Sequence, residues 1–243
     1  YEMHRTPTDT PTLVPVQLAD TCAALADRIH GRFPGRGIDG HAHWLAEHVR
    51  QVAAEGRGAV EAPLWLQRAS VTGGVLAVML LVATSILCVR RVGDIDTLPT
   101  YLSSLDAFFT VLAATVAGYF TMRSVRHRFE QRRAIEGLNK LRGFAHVTDM
   151  LQLAKSPTRL LFQEATPLCG QEDRLTRSGM TEYLSYCAEM QSLTAKVAAL
   201  YGEWTSDAVV HSAIDHMEGI CASLEDKALQ RLMLLEQMHQ RIS

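Results

Sequence analysis

No two cysteines in this chain of 243 residues stand at C-x-x-C spacing; Cys22, Cys88, Cys169, Cys187 and Cys221 are widely scattered. That spacing excludes the usual zinc and thiol-redox motifs. An odd number, with Cys88 inside an apolar run, also argues against a disulfide framework. The cysteines are expected to be small buried hydrophobes in a reducing compartment. Aromatics are scarce at 7%, and 24 Lys and Arg against 26 Asp and Glu leave a net charge of −2. The chain therefore has neither base-stacking platforms nor the basic footprint of a nucleic-acid binder, and no nucleic-acid partner is expected. The polar start, residues 1–15, lacks a signal-peptide pattern. The glycines of GRFPGRGIDG are not followed by Gly-Lys-Ser/Thr, and H-E-x-x-H, G-x-S-x-G and kinase signatures are missing. No enzyme and no cofactor is expected. No segment alternates as a strand does, so the fold class is all-α.

Two stretches carry almost no charge. From Ala69 to Val89 the sequence is uncharged and bracketed by Arg68 and Arg90; that is about the 20 residues a helix needs to cross the hydrocarbon layer. The second, Ala107 to Met122, becomes long enough if it starts near Ser103, with Asp106 at the interface or facing protein. The expected organisation is a cytosolic helical region at 1–66, a transmembrane hairpin at 67–122 with spans at about 69–89 and 103–122, and a cytosolic helical domain at 123–243. Arg123, Arg126, Arg128, Arg132 and Arg133 follow the second span and place both termini in the cytoplasm by the positive-inside rule. Near a membrane such a run also attracts anionic headgroups.

The soluble parts read as helices. Leu18, Cys22, Leu25, Ile29 and Phe33 recur at helical spacing, Pro34, Gly35, Gly37 and Gly40 break the chain, and a short helix is expected from His41 to Glu55. The second span is expected to run on as one helix to about Lys155, before a linker at 156–177. Tyr183, Cys187, Met190, Thr194, Val197, Tyr201 and Trp204 then step by four and three, and Val210 to Ile242 repeat the pattern with Arg231 as the one intrusion. Ser206 or Asp207 is the expected N-cap between them. The pair reads as an antiparallel, coiled-coil-like hairpin whose final helix overhangs its partner by about five turns, free to pack on other subunits.

Three sets of residues are candidates for chemistry. Along one face of the second span lie Asp106, Thr110, Ala113, Ala117 and Thr121. A small, hydroxylated face suits close helix packing, and in a symmetric ring it would line a pore. Asp94 and Asp96 in the connecting loop would then stand at the external mouth and favour cations. His41, His43 and His48 form the densest group of metal-ligand types, but on a helix neighbours at i and i+2 diverge, so no metal is expected there. His146 with Asp149, and His211 with Asp215, are spaced to form local helix pairs.

LRGFAHVTDMLQLAKSP at 141–157 and EYLSYCAEMQSLTAKVAALY at 182–201 resemble segments of an uncharacterised family of bacterial two-span membrane proteins. The resemblance covers the second half of the chain and the spans. It implies a bacterial inner membrane and brings no activity or site residue. In architecture alone the chain is similar to two-span effector domains of bacterial defence systems, which breach the membrane. The resulting expectation is a homo-oligomeric channel with the second span lining a cation-favouring path and the cytosolic helices driving assembly or gating. Its alternative is a non-conducting anchor or scaffold, or a two-span effector, whose cytosolic hairpin binds a protein partner.

Overall fold

A computed structural model describes residues 13–92, 98–154 and 175–242. The described residues are helical, with no strand among them. Helix α1 spans Pro15–Arg32, α2 Gly37–Glu55, α3 Leu64–Val92, α4 Leu98–Ala154, α5 Arg177–Gly202 and α6 Ala208–Ile242, with a 3-10 turn at Gly56–Ala59. Contacts divide the chain into two compact units, Tyr1–Ala59 with Ala134–Ser243, and Val60–Arg133.

In the first unit α1 and α2 form a hairpin. Leu18, Cys22, Leu25, Ile29 and Phe33 are buried on one side, and Ile38, Ala42, Leu45, Val49 and Val52 on the other. The break between them is shorter than the glycines suggest. Only Phe33–Arg36 leave the helix, with Gly35 at φ +71°. Gly37 and Gly40 are already helical because the Asp39 carboxylate accepts the Gly35 N–H at 2.9 Å and fixes the start of α2.

Helices α5 and α6 pack along each other through the expected positions. Tyr183, Cys187, Met190, Thr194, Val197 and Tyr201 are buried on α5, and Val210, Ile214, Met217, Cys221, Leu224, Ala228 and Leu235 on α6. Trp204 lies beyond the end of α5 and is half-buried. Asp207 is the N-cap, its Oδ1 accepting the N–H groups of Val209 at 2.8 Å and Val210 at 3.0 Å. The overhang of α6 is smaller than expected. Helix α5 has 26 residues against 35 for α6, a difference of about two and a half turns. It begins at Arg177, capped by Thr176 Oγ1 accepting Gly179 N–H, so Met180 and Leu184 already cover Leu235. The side chains of Met238 and Ile242 lie outside the described residues.

The uninterrupted helix after the second apolar stretch is present. Helix α4 has 57 residues, about 85 Å at 1.5 Å per residue. Its C-terminal part buries Ala134, Leu138, Leu141, Phe144, Ala145, Thr148 and Gln152 in the first unit. Arg231 belongs to that interior. It donates to Gln152 Oε1 at 2.8 Å and stands 3.8 Å from Asp149 Oδ1, while Gln191 Nε2 donates to the Ala145 carbonyl at 2.9 Å. The apparent intrusion in the apolar pattern is thus the cation of a buried polar layer.

In the second unit α3 exposes aliphatic side chains over about half of its circumference, among them Val71, Leu76, Val78, Met79, Val82 and Ile86, while Gly74, Ala77, Leu81 and Thr84 on the other face are half-buried. A helix apolar on every side needs either a protein core or lipid around it. Among the described residues, one helical segment, Phe108–Leu153, is long and apolar enough to cross a membrane, and Val71–Ile86 is a shorter apolar stretch.

Candidate functional site

The face of α4 proposed for a pore or helix interface is one exposed stripe. Asp106, Thr110, Ala113, Ala117 and Thr121 are all exposed, and none of the described residues covers them. The two hydroxyls do not reach outward as donors. Thr110 Oγ1 donates to the Asp106 carbonyl and Thr121 Oγ1 to the Ala117 carbonyl, each at 2.8 Å. What they present to a neighbour is therefore acceptor lone pairs and methyl groups. Asp94 and Asp96 lie outside the described residues.

Beside this stripe the second unit holds a cleft of about 1500 Å³ between α3 and α4. Gly73, Gly74 and Ala77 face it from α3, and Ala114 and Gly118 from α4. Small residues permit close helix approach, yet here they border open space. The basic run beyond it is partly engaged: Arg126 pairs with Glu130 at 2.8 Å, and Arg133 donates to the Glu61 carbonyl at 3.0 Å. Arg123, Arg128 and Arg132 are exposed.

Of the α2 histidines, His43 diverges from His41 and His48, which lie seven residues apart on one helix face. His41 turns inward, stacked on Phe144 with ring centroids 3.9 Å apart. Its Nε2 lies 3.1 Å from both the Phe144 carbonyl and Thr148 Oγ1. The carbonyl can only accept, so His41 carries its proton on Nε2. Burial holds its pKa below the ordinary histidine value, against the opposing effect of that hydrogen bond. His48 stacks on Trp44, and its Nε2 is buried with no hydrogen-bond partner among the described residues. Burial lowers its pKa too, helped by the charge of Lys140.

His43 instead joins two residues that the sequence pattern does not single out. His30, at the end of α1, has Nδ1 3.2 Å from Asp39 Oδ1 and 3.1 Å from Oδ2. His43 has Nδ1 3.2 Å from the same Oδ1. Asp39 is buried, and the Gly35 N–H first, then the two histidines, hold its carboxyl below the usual carboxylate range, against the opposing effect of burial. The legible part of this cluster was the D-x-x-x-H spacing of Asp39 and His43, one turn apart on one helix face. His30 could be found only by folding the hairpin.

No protein family, no curated protein and no solved structure matches the chain. Its function therefore rests on the residues themselves.

Proposed function

We propose that the chain is a two-span protein of the bacterial inner membrane that assembles from identical subunits into a channel. In this reading α3 and the first part of α4 cross the bilayer, with both termini in the cytoplasm and Arg123, Arg126, Arg128, Arg132 and Arg133 at the anionic headgroups. The carrying observation is the stripe from Asp106 to Thr121, exposed along its length and lined by small or hydroxylated residues. Two spans cannot enclose a path, so a conducting form requires several copies, and the stripe is the face that would meet the axis. The open cleft bordered by Gly73, Gly74 and Gly118 supports assembly by the same reasoning, since a lone hairpin leaves it to lipid. Asp106 would favour cations, with Asp94 and Asp96 above it. The cytosolic helices would set subunit number or gate the path, because α4 continues into them without interruption.

The first test is mass in nanodiscs. A single species of four or more subunits, followed by cation conductance reduced in Asp106→Asn, is the expected result. A monomer or dimer sinks the channel reading. The second reading, an anchor, scaffold or effector that binds a cytosolic protein through α5 and α6, is favoured by the exposed Leu229, Met233 and Leu234 on α6. Monomers that hold a defined soluble protein, and lose it in Met233→Glu, would decide for that alternative.

A further inference from the structure

We propose that His30, Asp39 and His43 form a binding site for a divalent transition ion of the zinc class. Asp39 Oδ1 lies 3.2 Å from His30 Nδ1 and 3.2 Å from His43 Nδ1. An ion about 2.0–2.2 Å from each donor in tetrahedral geometry needs ligand atoms about 3.3 Å apart, so both nitrogen–oxygen edges already have the required length. The nitrogens and a carboxylate oxygen lie within 4.8 Å of one another. Closing the remaining nitrogen–nitrogen edge takes a small rotation of two imidazoles that are more than half exposed, at 60% and 53%.

The surroundings prepare the carboxylate for this role. Asp39 is buried, and its second oxygen is held by the Gly35 N–H at 2.9 Å, which fixes the carboxylate with Oδ1 facing both histidines and Oδ2 3.1 Å from His30 Nδ1. A ligand oriented by a hydrogen bond to its other atom is the arrangement metal sites use. Two imidazoles and one carboxylate suit zinc-like ions, whereas magnesium and calcium prefer all-oxygen shells. His43 Nδ1 also lies 3.1 Å from the Asp39 carbonyl. Binding exchanges Nδ1–H donors for Nδ1 lone pairs, moving the proton of each ring to Nε2. Three protein ligands leave a fourth position for water. The site joins the last turn of α1 to the first turns of α2, so the ion would staple the hairpin. The proposal does not rest on the channel reading.

The test uses the full chain, free of any histidine tag, titrated with ZnCl₂ by calorimetry in detergent at pH 7.5, with metal content measured after dialysis. One zinc per chain is expected, with about tenfold or greater weakening in both His30→Gln and His43→Gln. Zinc should raise the melting temperature of the natural chain and not of these variants, and millimolar Mg²⁺ should not compete. Long-range ¹⁵N–¹H spectra should show both rings passing to the Nε2–H form. Asp39→Asn also disturbs the Gly35 turn, so the exposed histidines carry the decision. Absence of binding at 100 µM zinc, or equal affinity in both histidine variants, overturns the proposal.

Discussion

The Tyr201 ring occupies the space where any residue but glycine at position 137 would place its side chain. A Cβ on Gly137 would stand 2.5 Å from the Tyr201 hydroxyl oxygen and 2.7 Å from Cζ. Tyr201 is 3% exposed, and burial, with a smaller contribution from the charge of Glu55, raises its pKa to about 12. The ring has little room to retreat. Overpacking of this kind costs about 1–3 kcal/mol, more than the propensity gain of about 1 kcal/mol that alanine brings to a helix. Gly137→Ala should therefore lower the melting temperature. Gly143→Ala, where nothing lies within 4 Å, should hold or raise it. Equal melting of the two variants would contradict this packing.

Arg231 is the only described cation within reach of Asp149 and Gln152 in the interior formed by α4, α5 and α6. Its side chain is 16% exposed and that of Asp149 22%. Removing one partner of a largely buried polar layer strands the others, at a cost of about 1–3 kcal/mol. Arg231→Ala should destabilise by that order in denaturant melts. Arg231→Met combined with Asp149→Leu and Gln152→Leu should recover much of the loss, because an apolar layer needs no partners. Failure of the triple variant to recover would mean that the layer also selects the helix register.

The hairpin of α5 and α6 and the apolar face of α1 were legible because each keeps an apolar stripe at helical period. The period did not show that α5 also buries Leu184, Ala188, Gln191, Leu193 and Leu200 outside its stripe, with Gln191 reaching α4. The interior face of α4 was not legible. Leu138, Leu141, Ala145, Thr148 and Gln152 keep the spacing, but threonine and glutamine among them hide it, and both are buried through hydrogen bonds supplied by other helices or by their own backbone. The same limit applies to the histidines. His41, His43 and His48 stand close in sequence, but helical geometry sets only His43 apart, against Asp39, while His41 and His48 share the face that carries Trp44 and stack on Phe144 and Trp44. The stripe from Asp106 to Thr121 shares one helix face as expected.

Thiol chemistry should follow burial. Cys22, Cys187 and Cys221 are buried, and burial pushes the thiols of Cys22 and Cys221 up to about 12 and that of Cys187 higher still. The thiolate is the reactive form, so these residues should resist iodoacetamide at pH 8 and react after denaturation. Residue-resolved mass spectrometry checks this. Native labelling of Cys187 as fast as free cysteine would contradict the packing of α5.

Acid should weaken the helical unit before any carboxylate titrates. His41 and His48 both have native pKa values below the unfolded value of about 6.5. Between those values the unfolded chain binds protons that the native chain refuses, so stability rises with pH across that window. It is fully present above about pH 6.5 and declines as pH falls through the native values. Asp39 acts in the same direction, but only below the ordinary carboxylate range. Melting between pH 5 and 8 should therefore show a loss beginning near pH 6.5. His41→Gln keeps a side-chain N–H for the Phe144 carbonyl and cannot be protonated, and with His48→Gln it should flatten that slope. An unchanged slope in the double variant would contradict this assignment.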